Sequence, residues 1–173
     1  MIDEHISCHI DSLPGACALE FVAFASPLPD LGDARWPRAA GAVYYDTQQR
    51  PSLLHFAPAR WLAPDPTAPI RALLAEAVRT AVGVVIDVTG KWDALLIHGP
   101  GATRLLACAL EVESVLNARD CAAVTLFDCP ATLARTRQGF AVWVQSSYTK
   151  DFLITAERFR AALDRTDSRT AST

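Results

Sequence analysis

Four metal-binding or nucleophilic side chains crowd the N-terminus: His5, Cys8, His9 and Cys17. Imidazole and thiolate are zinc ligands, but no second paired knuckle accompanies them, so the spacing reads as buried or incidental thiols and no metal is expected. Asp87 and His98 could share a proton, yet no third partner is readable beside them. The shorter reading has Asp87 accepting the backbone N–H two residues on, at the Thr89–Gly90 turn, and His98 bonded to a loop carbonyl. Ser146 and Ser147 lack a nucleophile elbow, and Ser147 followed by Asp151 has the chemistry of a helix N-terminus. Cys129 precedes Pro130 with no neighbouring base to draw off its proton. Gly99–Pro100–Gly101 is no phosphate cradle, because Pro100 has no N–H to donate and the nucleotide-loop spacings are missing. Catalytic residues are accordingly not assigned to this chain.

The elements that position these groups follow from patterning. Strands are expected at 18–25, 41–45 and 52–56, the latter two forming a hairpin around the polar turn DTQQRP. Ile70, Leu73, Leu74, Ala77 and Val78 recur at helical spacing, which places an amphipathic helix over 69–81. VVIDVT and WDALLIHG, joined by Thr89–Gly90–Lys91, read as buried neighbouring strands, Val84–Val88 beside Leu95–Ile97, and Gly99–Pro100 then opens a helix over 102–108. The segment 111–120 is ambiguous. Three more strands, 122–127, 132–136 and 140–144, precede a closing helix over 148–163 with Phe152, Ala156, Phe159 and Leu163 on one stripe. Interspersed helices and antiparallel strands predict an α+β fold with mixed or antiparallel sheets and helices packed on one side of each sheet. Residues 1–163 form a single domain in this reading, and the polar tail 164–173 is expected to be disordered.

Composition bounds the class. The 173 residues are 51% hydrophobic and 20% charged, with a formal charge of −3 and scattered basic residues, which argues against nucleic-acid binding. No apolar run approaches the roughly 20 residues of a membrane span, and the acidic N-terminus is unlike a secretory signal. A cytoplasmic protein is expected. The five cysteines include no CxxC pair.

The stretch Ser26–Gly41 has prolines at 27, 29 and 37, which exclude regular helix, yet it carries Leu28, Leu31 and Trp36. Aromatic and apolar groups on such an arm are suited to an interface, so Trp36, Leu28 and Leu31, together with Trp61, are the expected contacts to another subunit.

Several segments between 50 and 163 resemble the gamma subunit of heterotetrameric sarcosine oxidase. Residues 53–62 keep Pro58 and Trp61 of the family's L-G-P-D-E-W-L, with Ala57, Ala59 and Arg60 in place of its Gly, Asp and Glu. Asp87–Val88–Thr89 resembles D-V-S, and Gly99–Pro100 with Ala102, Leu105, Leu106 and Ala107 matches the family's turn and helix. The K-G-C-P-L-D-L that follows is shortened to Cys108–Val112, while Phe140, Trp143, Val144, Ser146, Ser147 and Tyr148 match the last strand and helix entry. The resemblance implies a fold similar to the folate-binding domain of the glycine-cleavage T-protein. It implies a non-catalytic accessory subunit of a flavin-dependent complex that oxidises sarcosine or a related secondary amine, partnered by alpha and beta flavoprotein subunits. FAD, FMN and tetrahydrofolate belong on those partners, and no cofactor is expected on this chain. The alternative is a stand-alone folate-binding or one-carbon-transfer protein of the T-protein type, against which stand the short chain and the carboxylate replaced by Ala59.

Overall fold

The computed structural model describes residues 7–13, 15, 17–30, 35–117 and 119–170, with side chains through 165. Ten strands and four helices follow in the order β1 (His9–Leu13), β2 (Ala18–Ala23), β3 (Val43–Tyr45), β4 (Pro51–Ala57), β5 (Arg60–Pro64), α1 (Ala68–Arg79), β6 (Gly83–Asp87), β7 (Trp92–His98), α2 (Ala102–Ala107), α3 (Val112–Leu116), β8 (Cys121–Leu126), β9 (Cys129–Arg135), β10 (Gly139–Gln145) and α4 (Thr149–Thr170). They build two five-stranded sheets, β1-β7-β10-β9-β8 and β3-β4-β5-β2-β6. Every pairing is antiparallel.

Strand alternation determines how the layers stack. Along β10, Phe140, Val142 and Val144 join the core under α2, α3 and α4, while Ala141 and Trp143 face the other sheet. Along β5, Trp61 and Ala63 pack under α1, and Leu62 faces inward. The order is therefore helix, sheet, sheet, helix, with each sheet carrying its helices on its outer face.

The sheets are stitched along one edge. The Gly41 carbonyl accepts the backbone N–H groups of Asp120 and Cys121, each at 2.8 Å, and the Tyr45 hydroxyl lies 3.2 Å from the Arg135 carbonyl. Gly41 sits at φ +87°, and a Cβ there would stand 2.8 Å from the Arg119 side chain. Only glycine fits both demands.

Three expectations are corrected. Val84–Val88 and Leu95–Ile97 are not neighbouring strands. β6 pairs with β2 at the edge of one sheet, while β7 lies between β1 and β10 in the other. The Thr89–Gly90–Lys91 turn thus crosses between sheets, and Val84 and Ile86 are each 44% exposed. An uninterrupted apolar run cannot distinguish a strand buried on both faces from an edge strand whose apolar residues line a half-covered face.

The tail expected to be disordered continues α4 to Thr170. The Pro-rich arm also differs from expectation. Trp36 is 3% exposed, tilted against Phe21 at 4.7 Å and edge-on to Trp61 at 5.3 Å. Proline removes backbone donors but keeps its carbonyl, and those carbonyls satisfy the indoles: Trp36 Nε1–H donates to Pro29 O at 2.7 Å and Trp61 Nε1–H to Pro37 O at 3.0 Å. Trp36→Ala is expected to destabilise the isolated chain by about 3–5 kcal/mol, read by urea unfolding, as for other buried tryptophans. Unchanged stability would contradict this packing.

Candidate functional site

A cleft of about 860 Å³ opens between the sheets. Its walls are the inward faces of β7 and β10, the β3–β4 turn over 46–52, and the segments around Ala18 and Asp65. The turn is held by Asp46, whose Oδ1 accepts Gln48 N–H and Arg50 N–H, both at 2.8 Å, and whose Oδ2 accepts Arg50 Nε–H at 2.9 Å. Burial alone pushes this carboxyl up, but the bonds from Arg50 and Gln48 outweigh it and hold it below the usual carboxylate range.

At the opposite end stand Trp92, Trp143 and the first residue of α4, Thr149, all lining the cleft. Trp143 pairs with Ala94 and Gln145 with Trp92, so the two indoles are diagonal neighbours on one sheet face. Trp143 is 4% exposed, and neither indole N–H nor the Thr149 hydroxyl has a partner within the described chain. Asp93, next to them, lies 3.1 Å from the Ser146 hydroxyl, which is also 3.0 Å from the Gly90 carbonyl. Lys91 places its ammonium 5.2 Å from the Trp92 ring centroid and 3.5 Å from Glu20 Oε2.

The residues singled out from sequence lie mostly elsewhere. Asp87 accepts the Thr89 N–H at 2.9 Å as expected, and the bonds from Thr89 hold its carboxyl below the ordinary range. His98 bonds a carboxylate rather than a loop carbonyl: its Nε2 is 2.8 Å from Asp11 Oδ2, and its ring stacks on His9 at 5.2 Å. Ser147 is not the residue next to α4, which starts at Thr149, and Ser146 is bonded as above. Burial pushes the thiols of Cys8 and Cys121 up, to about 11 and about 12, and raises that of Cys129. Those thiols remain protonated at neutral pH. Cys17 lines the cleft, and its backbone N–H donates to Asp65 Oδ1 at 3.0 Å. Gly99 is at φ +95° under the Ser7 carbonyl, a backbone approach rather than a phosphate loop. Among the described residues no three His, Cys, Asp or Glu side chains come together as a metal group, and His5 lies outside them.

Of the expected interface residues, Trp36 and Trp61, the latter 5% exposed, are interior to this chain and present almost no surface to a partner. Leu28 packs partly against their cluster and lines a shallow groove beside Arg38, and Leu31 lies outside the described residues. The corner of Trp92, Trp143 and Thr149 was missed, although the tryptophans were conspicuous. Its signal is the period of two in β10, which puts Trp143 opposite the face of Phe140, Val142 and Val144.

No protein-family model matches the sequence, and no curated protein does. A solved structure does match: a chain of heterotetrameric sarcosine oxidase from Corynebacterium sp. U-96, determined in complex with pyrrole 2-carboxylate. The TM-score is 0.76 at 17% identity, over 94% of this chain and 88% of that one. At that identity the likeness establishes the α+β fold. Among the described residues no helix is long and apolar enough to cross a membrane.

Asp46 makes the cleft's β3–β4 wall sensitive to acid. A carboxylate held below its unfolded value contributes stability that is present above that value, near pH 4, and is lost as pH falls through the folded one. Asp46→Asn is expected to cost about 1 kcal/mol at pH 7 and progressively less in acid, measured by urea unfolding across pH. A difference from wild type that stays constant down to pH 2 would contradict the bonding seen here.

Proposed function

We propose that the chain is a non-catalytic, gamma-type accessory subunit of a flavin-dependent complex that oxidises sarcosine or a related secondary amine. The observation that carries the reading is the fold match to a chain of a heterotetrameric sarcosine oxidase, which takes in nearly the whole of both chains. The family-like segments fall on the elements they should position: Gly99–Pro100 enters α2, and Phe140–Val144 forms the central part of β10. The chain's own chemistry supports a structural role. Asp87, His98 and Ser146 are each engaged in bonds that fix strands and turns, and the thiols of Cys8, Cys121 and Cys129 are shifted toward their unreactive form. In this reading flavin and amine chemistry belong to the alpha and beta partner subunits, and this chain contributes assembly.

The test is affinity purification of the tagged full chain from its native cell, followed by size-exclusion chromatography with flavin absorbance monitored. Co-elution with flavin-bearing polypeptides that turn over a secondary amine is the expected result. A folded chain eluting alone, or only with flavin-free partners, would overturn the reading.

A further inference from the structure

We propose that β6 is an association edge, at which the chain pairs with the β6 of a second copy, antiparallel about a two-fold axis through Val85. The hydrogen-bond phase of the strand decides which groups it offers. Phe24 N–H donates to Val82 O at 3.1 Å and Val88 N–H to Ala18 O at 2.9 Å. Bonded pairs alternate along an antiparallel ladder, so Val22–Val84 and Glu20–Ile86 are the bonded pairs between those two. Gly83, Val85 and Asp87 therefore turn their N–H and C=O groups away from β2, and no other described strand pairs with β6.

Sheet edges are normally guarded against such pairing. β3 is three residues long with a shifted register, β1 carries His9, Asp11 and Ser12, and the first amide of β8 is taken by the Gly41 carbonyl. β6 runs in unbroken register with no proline, lysine or bulge, and its Val84 and Ile86 are each 44% exposed. A second copy fits this edge because the strand is self-complementary in the register centred on Val85. Val85 then exchanges both N–H···O bonds with its counterpart, and Gly83 does so with Asp87 of the other copy. Val84 falls directly opposite Ile86 in the closer, non-bonded pairs, which covers the exposed apolar surface. The one charged side chain of the strand, Asp87, meets a glycine, so no like charges face each other across the axis. A strand this short makes a contact at the small end of interface sizes, so the edge is open in dilute solution and paired at high concentration. The proposal is independent of the subunit reading, because it uses only groups of this chain.

Sedimentation velocity of the full chain from about 1 to about 500 μM tests it, with ¹⁵N spectra recorded over the same dilution. A monomer that becomes a dimer is expected, with concentration-dependent shifts at the Gly83, Val85 and Asp87 amides and smaller ones at Val84 and Ile86. Val85→Pro removes an outward N–H without touching the bonds to β2, and should raise the dissociation constant about tenfold or more. Val84→Lys combined with Ile86→Lys should do the same by setting like charges opposite each other. Val84→Glu combined with Ile86→Lys sets opposite charges across the axis in this register and should restore the dimer. The indole N–H peaks of Trp36 and Trp61, bonded to the Pro29 and Pro37 carbonyls, report that each variant is folded. A chain that stays monomeric at the highest concentration, with unmoved β6 amides, would overturn the proposal. If Val85→Pro then also loses flavoprotein in the affinity purification, the edge serves a strand of a partner and not a second copy. A dimer that survives both Val85→Pro and the double lysine variant would place the contact elsewhere, and failure of the opposite-charge variant to pair while folded would overturn the register.

Discussion

Two antiparallel sheets that face each other must share one layer of side chains and yet keep their registers independent. That constraint governs the molecule. A strand in the middle of such a stack has no solvent face, so β9 and β10 are buried along nearly their whole length. The sheets also need a fixed spacing, and the link through Gly41 supplies it: one carbonyl, just ahead of β3 on a residue that must be glycine, takes two N–H groups at the start of β8. Small inward residues along that edge, Cys121, Ala134 and Ala141, let Leu54 and Leu62 approach.

Where the sheets do not fully cover one another, polar and charged groups enter. Glu20 points to the inner face of β2 and is 1% exposed, with Arg60 Nε–H at 2.6 Å and Lys91 at 3.5 Å. A buried carboxylate without those cations would be strongly disfavoured. The cleft has the same origin. The bulky indoles of Trp92 and Trp143 occupy the inner face of the first sheet, and the β3–β4 turn, held by Asp46, closes over from the second.

Much of the fold class was legible because period and punctuation are local. The Ile70–Val78 spacing gave α1, the DTQQRP turn gave the β3–β4 hairpin, and Gly99–Pro100 gave the start of α2. Sheet membership was not, because pairing is a property of distant chain. β6 and β7 are adjacent in sequence with apolar runs of similar length, and nothing local says that a three-residue turn changes sheet rather than forming a hairpin. The short β1 and β5 lacked a strong alternation and were found only through their partners β7 and β2. Trp36 misled for a related reason: prolines in the arm argued against regular structure, whereas burial there depends on Pro29 and Pro37 carbonyls meeting two indoles from different segments. The orphaned donors of the cleft were invisible in sequence, since an unpaired N–H is defined by what surrounds it.

The link between the sheets is the central claim, and native-state hydrogen exchange of the isolated chain tests it most directly. The amides of Asp120 and Cys121, although at the edge of β8, should exchange only by global unfolding and respond to denaturant with the full equilibrium slope. Exchange of these two amides as fast as that of the exposed edge strand β6, with no dependence on denaturant, would contradict the account.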